Sequence, residues 1–151
     1  AHGVRGRVLV RVVLDANVLV SALISPRGSP AQVLAKWEQG KFELLVSPFG
    51  LRELDHTLRY PKLRQRYGLS EAMVDAFVAR VASQSVLIDS SGVVPGVSRD
   101  ADDDNYLTCA ELGQASYVVS GDVDLLVLGQ WHNIQILSLA GFLAVLALLG
   151  T

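Results

Sequence analysis

The run RVLVRVVLD, residues 7–15, does most to limit how this chain can fold. Its interior is almost all Val and Leu, without the polar alternation of a strand that faces water on one side. That is the pattern of a strand buried on both faces, which only a sheet covered on both sides provides. The rest of the chain supplies the covers. SPAQVLAKWEQG (29–40) reads as a helix with Ser29 as N-cap, Pro30 at the first helical position, Val33, Leu34 and Trp37 on one face, and a stop at Gly40. FELLVS (42–47) is a second strand. Ser47 and Pro48 open another helix, with Leu51, Leu54 and Leu58 inward and Pro61 beyond its end. After Ser70, Val74, Phe77, Val78 and Val81 recur at helical spacing. VLID (86–89), YVVS (117–120) and IQIL (134–137) read as further strands, and NYLTCAELG as a helix ending near Gly113. Strands alternating with helices predict an α/β fold with a mainly parallel central sheet.

At 151 residues the chain is expected to be one domain, and with 50% hydrophobic and 19% charged residues it is not a disordered one. A net charge of -2 neither recommends nor excludes a nucleic-acid partner, because local patches matter more than totals. The single cysteine, Cys109, forbids an intrachain disulfide and suits a reducing cytoplasm. Arg5, Arg7 and Arg11 interrupt the first residues, so no apolar stretch of signal-peptide length is found there. The last apolar run, LAGFLAVLALLG (139–150), falls short of the ~20 residues that span a bilayer. The expectation is a cytoplasmic protein without membrane attachment, whose C-terminal helix is buried or forms oligomers.

RDADDDNYL (99–107) crowds four aspartates into five positions, a repulsive arrangement unless water or a cation screens it. Parallel sheets of this kind bind ligands at the carboxyl ends of their strands. Asp15 ends the first strand, and Asp122 follows YVVS with Asp124 two residues on. Asp103 and Asp104 open the helix that feeds that strand, and Glu53 lies early in the helix after FELLVS. Each has an ordinary alternative: Asp15 a turn residue, Glu53 a surface acid, Asp102 or Asp103 an N-cap, Asp122 a cap for the short helix DVDLLVL. Together they predict an oxygen-only site that suits Mg²⁺ or Mn²⁺. Zinc would favour His or Cys, and His2, His56 and His132 are not spaced as ligands. Such a site serves metal-assisted hydrolysis of a phosphodiester. The chain shows no P-loop, GxGxxG or nucleophile elbow.

VVLDANVLVSAL, SPFGLRELDHTL, RDADDDNYLTCAELGQASYVVSGDVDLL and ILSLAGFLAVL, in that order from about Val12 to Leu146, resemble the PIN-domain ribonucleases. The match is closest to the branch classed as toxins of toxin–antitoxin modules. The resemblance implies a three-layer α/β/α domain over residues 1–151, with 1–11 as an N-terminal extension or strand lead-in. It implies cleavage of RNA with Mg²⁺ or Mn²⁺, and catalytic, metal-holding acids at Asp15, Glu53, Asp103 and Asp122. Asp104 is an adjacent rival to Asp103, and Asp124 an outer candidate. Asn17 and Ser120 take the places of the family's supporting polar residues. An antitoxin partner and a homodimer are implied in the same way.

RYPKLRQRYG (59–68) is the expected RNA contact, because Arg59, Lys62, Arg64 and Arg66 alternate with Tyr60 and Tyr67. Its alternative is a solvated arm between helices. Two other functions compete with this one. A phosphoacceptor signalling domain needs a lysine after its last strands, and Lys36, Lys41 and Lys62 all come too early. A catalytically silent PIN-like scaffold would not need the full acid set.

Overall fold

The computed structural model describes residues 9–89 and 101–150, with backbone alone for 101 and 102. Arg7 and Val8 of the expected first strand, and Arg99, Asp100 and the Asp102 side chain of the acidic run, lie outside the described residues. The strands are β1 (Arg11–Leu14), β2 (Glu43–Val46), β3 (Val86–Leu87), β4 (Tyr117–Val119), β5 (Gln130–Trp131) and β6 (Ile134–Leu137). The helices are α1 (Ala16–Ile24), α2 (Ser29–Glu38), α3 (Pro48–Leu58), α4 (Pro61–Tyr67), α5 (Glu71–Gln84), α6 (Ala101–Leu112), α7 (Val123–Leu128) and α8 (Leu139–Leu148).

These strands form one sheet in the order β3-β2-β1-β4-β6-β5, parallel except for the short edge strand β5. The expected α/β architecture with a mainly parallel central sheet and flanking helices is therefore present. β1 lies between β2 and β4, with Val13 opposite both Leu45 and Val118. Val12 and Val13 are fully buried, as the unbroken apolar run predicts. Phe42 and Phe142 meet edge to face at 5.1 Å, which adds about 0.5–1.5 kcal/mol to their burial. Leu54, Leu58, Val74, Phe77 and Val81 turn inward from α3 and α5.

Three local features differ from the sequence reading. α2 is capped by Gly28 rather than Ser29, without a side-chain hydrogen bond, because Ser29 already lies inside the first turn. α4, read as an arm, is a helix: Pro61 presets its first turn and Gly68, at φ +64°, ends it in the left-handed region. α1 and β5 were not foreseen. α1 follows β1 with only Asp15 between them, so the apolar run passes from strand to helix without a turn signal.

The chain runs outward from β1 to β2 and β3, then returns to the other side of β1 as β4. The β1–β4 boundary is thus where strand order reverses, the place in an open parallel sheet where the strand ends diverge and leave a crevice.

Candidate active site

Asp15 stands at that boundary, one residue past the end of β1. Its backbone N–H extends the ladder to Val119 O at 3.0 Å, while its carboxylate begins the next element. Oδ1 accepts from the Asn17 N–H at 2.9 Å, which caps α1, and Oδ2 accepts from the Ser120 hydroxyl at 2.8 Å. Asp15 is only 6% exposed and Ser120 fully buried, so this is a desolvated contact across the reversal point. Ser120 Oγ in turn accepts from the Asp122 N–H at 2.9 Å. Asp122 caps α7, with Oδ1 accepting from the Asp124 N–H at 2.8 Å. Both aspartates therefore cap helices, which was the ordinary alternative for Asp122, whereas that for Asp15 was a turn residue. A carboxylate oxygen accepts more than one bond, so capping leaves capacity on each group.

Asp103 and Glu53 come to the same region through a different residue. The Ala16 N–H, next in the chain to Asp15, donates to Tyr106 Oη at 3.3 Å. Tyr106 sits one turn after Asp103 on α6, on the same side of the helix. Its ring meets Phe49 edge to face at 5.7 Å, and Glu53 stands one turn after Phe49 on α3. Asp103 and Asp104 are both buried, at 3% exposure each, whereas Glu53 and Asp124 are half-buried. The Thr108 hydroxyl donates to Asp104 O at 2.8 Å, an ordinary back-bond within the helix.

α6 is also tied to the start of α3. The Ser47 hydroxyl caps α3 by accepting from the Gly50 N–H at 3.1 Å, and it is hydrogen-bonded to the Cys109 thiol. Burial pushes that thiol up to about 12, against the weaker downward pull of Ser47. Tyr106 and Cys109 are both buried. Their polar contacts had no signal in the sequence, because an aromatic and a cysteine in an apolar helix read as core.

Among the described residues, no three His, Cys, Asp or Glu side chains are grouped so that together they could hold a metal ion. The structure joins Asp15 to Asp122 by way of Ser120, and sets Asp103 and Glu53 each one helical turn from a side chain of the Tyr106 cluster. A cavity of about 480 Å³ lies at the opposite end of the sheet and is lined by Glu111, Gln114, His132 and their neighbours.

In the expected RNA-contacting arm, two arginines are engaged within the protein. Arg59 pairs with Asp55 on its own helix and with Asp75 on α5, which raise its pKa further. Arg64 pairs with Glu71 and donates to Leu69 O. Tyr60, Lys62, Arg66 and Tyr67 are exposed, with the Arg66 guanidinium 5.5 Å from the centre of the Tyr67 ring.

The chain is similar to several known proteins. It is 33% identical over 122 residues to the uncharacterized protein MJ1680 of Methanocaldococcus jannaschii, covering 81% of this chain and 77% of that one. The crystal structure of VapBC2 from Rickettsia felis, bound to a DNA fragment from its promoter, superposes with a TM-score of 0.56 at 16% identity, over 85% of this chain and 98% of the other. VapC20 of Mycobacterium tuberculosis, described as a Sarcin-Ricin loop cleaving toxin, superposes with a TM-score of 0.53 at 13% identity, over 82% and 98%. No helix among the described residues is long and apolar enough to cross a membrane. The PIN domain family matches residues 11–124, from the first residue of β1 to the aspartate two places beyond Asp122, and the chain belongs to that family.

Proposed function

We propose that the chain is a divalent-cation-dependent endoribonuclease, the toxin of a toxin–antitoxin pair, with Asp15, Glu53, Asp103 and Asp122 as its catalytic acids. The observation that carries this reading is the buried Ser120–Asp15 hydrogen bond across the strand-order reversal. It fixes one carboxylate at the rim where α/β sheets bind ligands, and directly links the loop that carries a second. The similarity to VapC20, a Sarcin-Ricin loop cleaving toxin, supports the substrate class and the toxin role. The VapBC2 neighbour supports an antitoxin partner.

The donor chemistry fits Mg²⁺ or Mn²⁺. The four acids offer oxygen alone, and Asp15 keeps acceptor capacity on both oxygens after its two hydrogen bonds. A cation held by one or two carboxylates and completed by water matches the habit of Mg²⁺, which dehydrates reluctantly, and does not need a closed protein cage. When bound, such a cation lowers the pKa of coordinated water and stabilises charge on the phosphate oxygens. Asp15 and Asp122 are the primary holders, Asp103 and Glu53 complete the rim, and Asp104 and Asp124 stand outside it. Asn17 and Ser120 fix the Asp15 carboxylate. Lys62 and Arg66 follow the phosphate backbone, and Tyr60 and Tyr67 offer rings to unpaired bases. The rest of the reading is a cytoplasmic homodimer. From Leu125 to Thr151 the sequence has no Asp, Glu, Lys or Arg, and Val127 and Leu148 are among the most exposed apolar side chains.

The test is cleavage of a structured RNA pool with Mg²⁺, Mn²⁺ or EDTA, comparing wild type with Asp15→Asn. Cuts that need the cation and vanish in the variant establish the nuclease. A preparation free of antitoxin that binds no divalent cation and cuts nothing leaves a PIN-like scaffold.

A further inference from the structure

Tyr106 touches two of the helices that start beside the candidate acids and is carried by a third. Its hydroxyl accepts the Ala16 N–H at 3.3 Å, at the first turn of α1 and one residue from Asp15. That N–H is one of the four at a helix start that has no partner within the helix. Its ring packs on Phe49 at 5.7 Å and lies 3.9 Å from where a Cβ on Gly50 would sit, both in the first turn of α3. Three residues before Tyr106 on α6 is Asp103. One buried side chain thus meets the starts of two helices from a third, and each of the three helices carries or adjoins an acid of the rim. Cys109, one turn further along α6, is hydrogen-bonded to Ser47, the cap of α3.

We propose that Tyr106 is a positioning residue that sets Asp15, Glu53 and Asp103 relative to one another for cation binding. This rests on the nuclease reading for its purpose, but its geometry does not. The ring determines how closely α3 approaches α6. The hydroxyl determines where α1 begins, and so where the Asp15 carboxylate points. Supporting groups around metal ligands commonly change affinity by about 10–100-fold when removed. Displacement of a reacting group by about 1 Å costs on the order of a hundredfold in rate.

Tyr106→Phe keeps the ring and removes only the hydroxyl. Ala16→Pro removes the donor from the other side, at the first helical position, where proline is well tolerated. The measurements are Mn²⁺ affinity of the full chain by electron paramagnetic resonance, hydrogen exchange of the Ala16 amide, and kcat and KM for RNA. The expected result for Tyr106→Phe is faster exchange at Ala16, Mn²⁺ binding weakened about tenfold, and kcat reduced with KM for RNA unchanged. Ala16→Pro should weaken Mn²⁺ binding similarly, and the double variant no further. A purely structural role would lower the melting temperature and leave Mn²⁺ affinity and kcat as in wild type, which overturns the proposal. So does a wild type that binds no Mn²⁺. If wild type binds Mn²⁺ and the variants weaken it, yet no RNA is cut, the nuclease reading fails and the positioning role stands.

Discussion

The two ends of the sheet carry opposite combinations of room and chemistry. At the amino ends of β4 and β6 a cavity of about 480 Å³ opens between α6 and the β5–β6 turn. Its polar side chains Glu111 and His132 are exposed and hydrogen-bonded to each other. At the carboxyl ends the cleft beside Tyr106 and Gly50 has only about 10 Å³ of free space. Yet there the polar groups are buried and hold one another: Ser120 to Asp15, Asp122 to Ser120, Ala16 to Tyr106. Burying a carboxylate is costly unless its hydrogen bonds are satisfied, so a chain keeps such groups where a fixed charge has a use or a cap requires it. An enclosed volume selects a small ligand. A phosphodiester in a long RNA is presented at a surface and needs fixed charge more than enclosure.

The sharpest way to break this comparison is to disable each end in turn. Asp15→Asn should lower RNA cleavage at least about a hundredfold, the upper range for disturbing a metal-supporting group. Glu111→Gln with His132→Asn should leave cleavage within about twofold, as surface changes of this kind stay near ±0.5 kcal/mol. Equal losses at both ends, read by initial rates on one RNA, would show that the larger cavity belongs to the reaction. Ser120→Ala is the next largest effect. It removes a fully buried hydroxyl that serves both Asp15 and the Asp122 N–H. Stability should fall by about 1–3 kcal/mol in urea unfolding, and cleavage by about tenfold. Full activity in a folded Ser120→Ala protein would mean that the link is architectural only.

How far these ends could be read beforehand follows from the distance over which each signal acts. β1 and its neighbours were legible because burial on both faces writes itself into every residue of a strand. α3 and α5 were legible because caps and periodic apolar residues mark both ends. α1 was missed because Asp15 serves as strand end and helix cap at once, and no glycine or proline separates the two elements. The candidate acids stood out in the sequence because parallel topology sends strand ends to one rim, a rule that needs no contacts. Tyr106 gave no signal of a place near the site, since its contact joins a hydroxyl to an N–H 90 residues away in sequence. Arg59 and Arg64 looked available for RNA because their carboxylate partners, Asp75 and Glu71, lie on a separate helix.

Gly113 tests whether the amino end matters to stability rather than chemistry. A Cβ there would come within 2.5 Å of Leu45 Cδ1 and 3.1 Å of two Ile88 side-chain atoms. Gly113→Ala should therefore cost about 1–3 kcal/mol by overpacking, softened because the neighbours are side-chain ends that can rotate. Cleavage per folded molecule should not change. A loss of cleavage without a loss of stability would carry the site down α6 and merge the two ends.

Cys109 gives the smallest effect and separates structure from chemistry within α6. Its thiol rises from an ordinary 9.0 to about 12 because burial disfavours the thiolate. The unfolded chain then loses this proton above about pH 9 while the folded one retains it. Stability from this group is complete below pH 9 and declines as pH rises toward 12, by up to about 1.4 kcal/mol per pH unit. Cys109→Ala should flatten that part of the stability curve relative to wild type in urea titrations between pH 8.5 and 10.5, where Lys and Tyr titrate equally in both proteins. The folded wild type should also resist iodoacetamide at pH 8 far better than a free thiol, since only the thiolate reacts. Rapid labelling of the native protein would mean that the Ser47–Cys109 contact opens. It would then weaken the view that α6 holds α3 at a fixed distance from Asp103.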